Sequence, residues 1–157
     1  MNQAQEHTTK PTDLRHKLES LARGAISEIE LMTQPVVQIC GPISTGGFGE
    51  VEDNLSYLDS VIQASIRDGM SIFDQLAYER RLDHILGDSH GYDYPILDSF
   101  YAPILSSGKI SGLAFLPLWE TSTGSRWEHE YAQSIGIPTC EIQNLLVGEI
   151  RSFYESL

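Results

Sequence analysis

Apolar residues recur at helical spacing near the start of the chain. Pro11-Thr12-Asp13 is a typical helix start, and apolar positions follow it at Leu14, Leu18, Leu21, Ile26, Ile29 and Leu31. This pattern predicts one N-terminal helix that ends before Pro35. Residues 1–12 are polar, and we expect them to form a flexible tail ahead of a domain that spans residues 13–157.

Short apolar runs and amphipathic segments alternate along the rest of the chain. The runs predict strands at 36–40, 70–73, 112–118 and 137–142, and the segments predict helices at 51–69, 74–86, 95–105, 125–135 and from 144 onward. Such alternation is typical of a parallel sheet covered by helices on both faces. We therefore expect a single α/β domain of the Rossmann or flavodoxin-like kind, with four to five parallel strands and an extra N-terminal helix.

The carboxyl ends of the strands are where we expect a ligand. In open parallel sheets, ligands bind beyond these ends, in the loops that follow the strands. Two loops have suitable composition: the glycine-rich residues 41–49 after the first strand, and residues 119–124 after the third. The sequence therefore predicts that these two loops line one crevice.

Composition narrows the class of partner. Ten basic residues against 22 acidic ones give a net charge of −12, which opposes binding to a nucleic-acid polymer. No run is apolar enough to span a bilayer, and the N-terminus lacks a secretion signal, so we expect a cytoplasmic protein that does not bind membranes. Cys40 and Cys140 lie in apolar segments and are predicted to be reduced core residues. The histidines show no metal-ligand spacing, and neither a metal nor a cofactor is expected.

The glycine-rich loop is not one of the common phosphate-binding motifs. It lacks the Lys-Ser/Thr ending of a P-loop, and its glycine spacing differs from the dinucleotide fingerprint. Its backbone N–H groups, with Ser44 or Thr45, could still bind a ribose or a phosphate. The alternative is a purely structural turn between strand and helix.

Glu128 is the carboxylate that stands out. Ser125-Arg126-Trp127-Glu128 fits the capping box S-x-x-E, which would give Glu128 a structural role. Against this, Glu128 shares a helical stripe with Ala132 and Ile135, which points it toward the body of the protein, whereas His129 and Glu130 are predicted to be solvated or rim residues. The dipole of the helix would help to keep such a carboxylate ionised.

Residues 116–128, Leu-Pro-Leu-Trp-Glu-Thr-Ser-Thr-Gly-Ser-Arg-Trp-Glu, resemble the signature region of the nucleoside 2-deoxyribosyltransferase superfamily. They are most similar to a branch with a Leu-Pro-Gly-Trp-Glu-type motif, and the resemblance continues through Ala132 and residues 136–138. Residues 39–44 resemble the first strand and glycine loop of the same superfamily. The similarity covers roughly residues 36–142.

The resemblance implies roles for individual residues. Glu128 matches the glutamate that attacks the anomeric carbon, forms a glycosyl-enzyme and passes the sugar to a second base or to water. Ser122 stands where transferases carry an acid and where related nucleotide N-glycosidases carry a serine that helps to hold phosphate. The candidate substrate-binding residues are Gly41, Pro42, Ile43, Ser44, Gly46, Gly47, Gln75, Trp119, Ser122, Gly124 and Ser125.

Two departures from the superfamily pattern concern the partners of Glu128. Many members place an aspartate just before the third strand to meet the base, but this chain has Ser111-Gly112 there. Asp74, after the second strand, is the substitute that topology favours, although it could equally be a helix cap. The tyrosine that several members carry just before the glycine loop is also missing, and Gln38 lies near that place.

Three functions follow as hypotheses. The first is a nucleoside 2-deoxyribosyltransferase-like enzyme that moves the sugar from a nucleoside to another free base. The second is a (deoxy)nucleoside 5′-monophosphate N-glycosidase that uses water as the acceptor, and the third is a non-catalytic nucleotide-binding module. The resemblance also implies a homodimer or a higher homo-oligomer.

Overall fold

Helices and strands alternate along the chain as the hydrophobic pattern predicts. A computed structural model describes residues 11–87, 94–144 and 146–157. The helices are α1 (Pro11–Glu30), α2 (Val51–Arg67), α3 (Leu76–Leu86), α4 (Tyr94–Ile96), α5 (Ala102–Ser106), α6 (Thr123–Ile135) and α7 (Leu146–Glu155), and the strands are β1 (Val37–Cys40), β2 (Gly112–Phe115) and β3 (Thr139–Glu141). A π-helix (Leu97–Tyr101) joins α4 to α5, and a 3₁₀-helix (Trp119–Thr121) follows β2.

The predicted tail does not end where the sequence suggested. Pro11 and Thr12 belong to α1, and residues 1–10 of the predicted tail lie outside the described residues. Proline is well suited to the first turn of a helix, because the N–H that it lacks has no partner there. None of the helices in the described part of the chain combines the length and the apolarity that crossing a bilayer requires.

The sheet is parallel, as predicted, but smaller than predicted. Its three hydrogen-bonded strands lie in the order β1-β2-β3, with Val37 opposite Gly112 and Leu113 opposite Thr139. The predicted strand at 70–73 contributes a single parallel bridge, between Ile72 and Val37. In the described residues, the sheet therefore has three strands and one bridging segment instead of four to five strands.

A side chain explains why the 70–73 segment stops pairing. The N–H of Val37 donates to Ser71 O (3.0 Å), and the N–H of Phe73 donates to Val37 O (2.9 Å), as in a parallel ladder. At the next step the backbone of Gln75 is already helical (φ −66°), and its side-chain Nε2 donates to Ile39 O instead (2.6 Å). The glutamine amide therefore continues the ladder where the backbone has turned into α3.

Helices cover both faces of the sheet. On one face, Val37 and Ile39 pack with α2 and α7, and on the other face Cys40 and Phe115 pack with α1, α3, the 94–106 helical segment and α6. Neighbouring residues of one strand point to opposite faces, so Gln38 lies on the same face as Cys40. The α6 face is the one that carries Glu128.

Candidate functional site

The structure brings together the two loops that the sequence singled out. The N–H of Gly47 donates to Thr121 Oγ1 (2.7 Å), and the N–H of Thr123 donates to Thr45 Oγ1 (2.9 Å). Gly46 has φ +67°, and a Cβ at this position would overlap the carbonyl of Thr121. Glycine is required here because the loop approaches the 119–123 turn so closely.

Asn54 fixes the glycine-rich loop from α2. Its Oδ1 accepts from the N–H of Phe48 (2.9 Å), and its Nδ2 donates to Ile43 O (3.0 Å) and Gly46 O (3.1 Å). A Cβ on Gly47 would overlap Asn54 Oδ1. Two N–H groups proposed for ribose or phosphate, those of residues 47 and 48, are therefore already bonded within the protein, which favours the structural interpretation of this part of the loop.

Asn54 was not among the predicted site residues, although the sequence contains a signal for it. Asn54 lies on the same helical stripe as the buried Leu58, Val61 and Ser65, and a buried amide on such a stripe needs hydrogen-bond partners. Of the other candidate loop residues, Gly41, Pro42 and Ile43 are buried, and Ser44 is exposed.

The start of α6 excludes the capping-box role of Glu128. Ser122 is the N-cap residue, and its Oγ accepts from the N–H of Ser125 (3.3 Å). Ser125 therefore lies inside the helix, two residues beyond its start at Thr123. Glu128 falls in the second turn, too far along the helix to reach back to the cap.

The Glu128 carboxyl is buried against β1. Its side chain is 7% exposed, and its Oε1 accepts from Gln38 Nε2 (3.0 Å). Gln38 Nε2 also donates to Cys40 Sγ (3.7 Å). Gln38 and Cys40 both lie on the face of β1 that α6 covers, so the sheet and not the helix cap determines the position of this carboxyl.

Burial controls the charge of Glu128. Desolvation raises its pKa to about 7, with a smaller contribution in the same direction from the charge of Glu79, while the hydrogen bonds from Cys40 and Gln38 act in the opposite direction. Glu128 lies in the second turn of α6, where the helix dipole acts more weakly than in the first turn. Burial, followed by the charge of Glu128, raises the pKa of Cys40 well above its ordinary value.

Glu79 is a second perturbed carboxyl that sequence analysis missed. Burial raises its pKa to about 7, a hydrogen bond from Tyr101 lowers the pKa, and the charge of Asp83 raises it. The Tyr101 hydroxyl lies 3.2 Å from Glu79 Oε1 and is supplied by the π-helix, a conformation often found at functional sites. Glu79 shares a helical stripe with Leu82 and Leu86, so the phase argument applied to Glu128 would have identified it.

Asp74 and Gln75 have different surroundings. Asp74 accepts from the N–H of Leu76 (3.1 Å) through Oδ1 and from Gln63 Nε2 (3.1 Å) through Oδ2. Asp74 therefore satisfies a free N–H at the start of α3, where Gln75 occupies the N-cap position, and its carboxylate is turned toward α2. Gln75 is buried, and its amide is bonded to the carbonyl of Ile39 near the end of β1.

Trp119 packs against the protein. Its half-buried ring stacks on His129 at 4.5 Å between centroids and lies 5.2 Å from Phe115. His129 is half-buried and Glu130 is exposed, in agreement with the helical phase. Gly124 is buried beside Ser125 at the start of α6.

Two grooves lie away from the predicted crevice. One, of about 340 Å³, is lined by residues of α1 and α3, including Glu28 and Tyr78. The other, of about 660 Å³, lies at the amino ends of the strands, beside Pro35 and Ser111. Neither groove contains a residue predicted for the site, and the described residues contain no group of three or more His, Cys, Asp or Glu side chains that could hold a metal ion.

Fold and site together define a class: an α/β protein with a buried carboxyl group held between a helix and a parallel sheet. No family model, curated protein or solved structure matches the chain. The chemistry of the site and the motif resemblance are therefore what support a function.

Proposed function

We propose that the protein is a nucleoside 2-deoxyribosyltransferase-like enzyme that cleaves an N-glycosidic bond through a covalent glycosyl-Glu128 intermediate. The observation that carries this proposal is the position of Glu128, which is buried, has no capping role, and is held against the sheet by Gln38, the second residue of β1. In this proposal the sheet, with its bridging segment at Ile72, corresponds to the Rossmann or flavodoxin-like arrangement of the superfamily that the motifs resemble.

The reaction needs one carboxylate and one proton donor. An oxygen of ionised Glu128 attacks the anomeric carbon as the C–N bond breaks, and the departing base takes the bonding electron pair and a proton. A nitrogen of a second base then attacks the same carbon and displaces the Glu128 carboxylate, while its N–H proton passes to the group that protonated the departing base. Because the pKa of Glu128 is about 7, a substantial fraction of it is ionised near neutral pH.

Glu79 is the better supported of the two candidate proton donors. A general acid must be protonated at working pH, and a carboxyl with a pKa of about 7 satisfies this condition. Both oxygens of Asp74 instead accept hydrogen bonds from Leu76 and Gln63. We assign Gln38 the role of a positioning residue, because its amide donates to the nucleophile from near the place of the tyrosine that several superfamily members carry.

A nucleotide N-glycosidase, with water as the acceptor, is the second candidate. Ser122 favours it, because this serine occupies the position that holds phosphate in the related hydrolases. Its oxygen accepts from the N–H of Ser125, and its hydroxyl proton could still be donated to a phosphate oxygen at the start of α6.

The test is to incubate the protein with deoxynucleosides and with their 5′-monophosphates, each with and without a second free base. Base exchange supports transfer, and release of free sugar or sugar phosphate supports hydrolysis. Glu128→Ala is expected to lower the rate by about 10³-fold or more, whereas the exposed Glu130→Ala on the same helix serves as the matched control. An inactive wild type, or a Glu128→Ala variant as active as the control, would contradict the proposal.

Two further parts of the proposal concern the whole protein. We propose that it acts in the cytoplasm and assembles into a homodimer or a higher homo-oligomer, as the resemblance implies. Light scattering coupled to size-exclusion chromatography measures the mass of the assembly. A monomer at micromolar concentration would contradict the proposed oligomer and would leave the proposed reaction unaffected.

A further inference from the structure

Unpaired polar atoms occur on the two elements that hold Glu128, β1 and α6, and on the glutamine that is bonded to β1. Among the described residues, Gln38 Oε1, Gln75 Oε1 and Ser125 Oγ are buried and accept or donate no hydrogen bond. A fourth such atom, Ser65 Oγ, belongs to α2 on the opposite face of the sheet. Buried polar groups are almost always hydrogen-bonded, so a cluster of exceptions needs an explanation.

The orientation of both amides is fixed by their partners. Gln75 Nε2 donates to a backbone carbonyl, Ile39 O, which can only accept. Gln38 Nε2 donates to Glu128, which can only accept when it is ionised. Turning either amide around would place two acceptors against each other, so both glutamines present an oxygen, and not an NH₂ group, as the free end.

The two glutamines are attached at neighbouring residues of β1. Gln38 lies within β1, and the amide of Gln75 is attached to the carbonyl of the next residue, Ile39. The Ser125 hydroxyl lies on α6 three residues before Glu128, and therefore on the same helical face. The strand and the helix that hold the proposed nucleophile thus carry two fixed acceptors and one hydroxyl without a partner.

We propose that Gln75, together with Gln38, selects bases that carry an exocyclic amino group, such as adenine or cytosine, over their oxo counterparts. This inference rests on the proposed function, which supplies the class of ligand. An exocyclic amino group carries two N–H donors and satisfies acceptors, whereas an oxo group is itself an acceptor and leaves the glutamine oxygens unpaired.

Binding requires a change in the covering side chains. Gln38 and Gln75 are 0% and 2% exposed, so a base reaches their oxygens only when the side chains over them move. Part of the binding free energy is spent on that movement. The selectivity between two bases of the same shape is unaffected, because both bases require the same movement.

The test measures equilibrium binding of free bases by calorimetry at pH 8, where Glu128 is mostly ionised. Free bases have no glycosidic bond, so binding is measured without turnover. Adenine is compared with hypoxanthine, and cytosine with uracil. Binding of the first two bases indicates a purine site, and binding of the last two indicates a pyrimidine site. We expect the amino base of that pair to bind on the order of tenfold more tightly or better.

Matched variants show whether the glutamine is responsible. Gln75→Met should bring the ratio of dissociation constants close to one, while Gln63→Met, in a half-buried glutamine on α2, should leave the ratio unchanged. Thermal unfolding checks that both variants fold, and the wild-type ratio decides the question if Gln75→Met does not. Equal affinity within both pairs, binding of no base, or an unchanged ratio in a folded Gln75→Met would overturn the inference.

The same measurements separate this inference from the proposed function. Selective binding of a base without turnover of any nucleoside would contradict the proposed enzymatic function and support the selectivity of Gln75. Turnover by a wild type that binds both bases of each pair equally would support the enzymatic function and contradict the selectivity.

Discussion

Two glutamates on α6 show that the position of a residue on a helix determines whether its side chain is buried. Glu128 is buried and Glu130 is exposed, although they are two residues apart and chemically identical. Helical phase predicts this difference correctly, because it depends only on the local spacing of apolar residues. Phase could not predict the pKa of Glu128, which is set by burial against β1, ninety positions earlier in the chain.

The buried charge of Glu128 should make stability depend on pH. Its pKa rises from 4.5 to about 7 on folding, so the folded state binds more protons than the unfolded state between these values. Stability is therefore highest at the acidic end and falls as the pH rises toward 7. The free energy of unfolding of the wild type should fall between pH 5.5 and pH 8. In Glu128→Gln we expect this decrease to be smaller by about 2 kcal/mol.

Urea unfolding at the two pH values measures this effect. Glu130→Gln, on the exposed side of the helix, should retain the wild-type pH dependence. Because Glu79 also has a raised pKa, part of the loss should remain in Glu128→Gln. A full wild-type loss in Glu128→Gln would show that the carboxyl is not buried as described.

Leu118 is a second residue whose role depends on its exact backbone conformation. It follows β2 with φ +69°, and within the described residues it is the single non-glycine residue at positive φ. The motif that this region resembles has glycine at the same place. The left-handed conformation costs a residue with a Cβ about 1–2 kcal/mol, which outweighs the greater freedom of glycine in the unfolded chain.

We therefore expect Leu118→Gly to stabilise the protein by up to about 1 kcal/mol. Leu118→Ala is the matched control, since it removes the half-exposed side chain and keeps the strained backbone. Chemical denaturation compares the two variants. If Leu118→Gly is no more stable than Leu118→Ala, the positive φ is not a source of strain.

At the scale of elements, the errors of sequence analysis occur where side chains bond to backbone. The predicted strand at 70–73 yields one bridge because the Gln75 amide takes the next carbonyl of β1. The helix predicted from Ser125 begins at Thr123 because Ser122 is the cap. Hydrophobic periodicity predicts that these elements exist, but their ends depend on polar contacts that it does not contain.

The alternative starts of α6 make opposite predictions for two serines. Ser122 Oγ accepts a helix N–H, so Ser122→Ala should cost about 1 kcal/mol of unfolding free energy. Ser125 Oγ is buried without a partner, so Ser125→Ala should be neutral or slightly stabilising. Thermal or urea unfolding compares them directly, and a larger loss in Ser125→Ala would restore the capping box that begins at Ser125.

At the scale of the whole molecule, the alternating pattern predicted a parallel sheet with helices on both faces, and the structure confirms this arrangement. The meeting of the 41–49 and 119–124 loops was also predicted, because loops that follow parallel strands gather at one edge. The relation between Glu79 and Glu128 was not predicted. It depends on how α3 and α6 pack on one face, which no local pattern specifies.

This relation predicts how activity depends on pH under the proposed function. Ionised Glu128 is required as the nucleophile, so kcat/KM should rise as the pH increases toward about 7. Protonated Glu79 is required as the acid, so kcat/KM should fall as the pH increases beyond about 7. Because the two carboxyls interact, the apparent pKa values on the two sides of the maximum belong to the pair.

Single variants of Glu79 and Asp74 show which of the two carboxyls causes the decrease of kcat/KM above pH 7. Glu79→Gln should lower kcat/KM by about 10²- to 10⁴-fold and abolish the decrease above pH 7, since glutamine cannot titrate. Asp74→Asn should preserve the decrease, because both oxygens of the Asp74 carboxylate already accept hydrogen bonds, one from the N–H of Leu76 and one from Gln63. If the decrease persists in Glu79→Gln and disappears in Asp74→Asn, the proton donor is Asp74, and the base then leaves from the side of the bridging segment at Ile72.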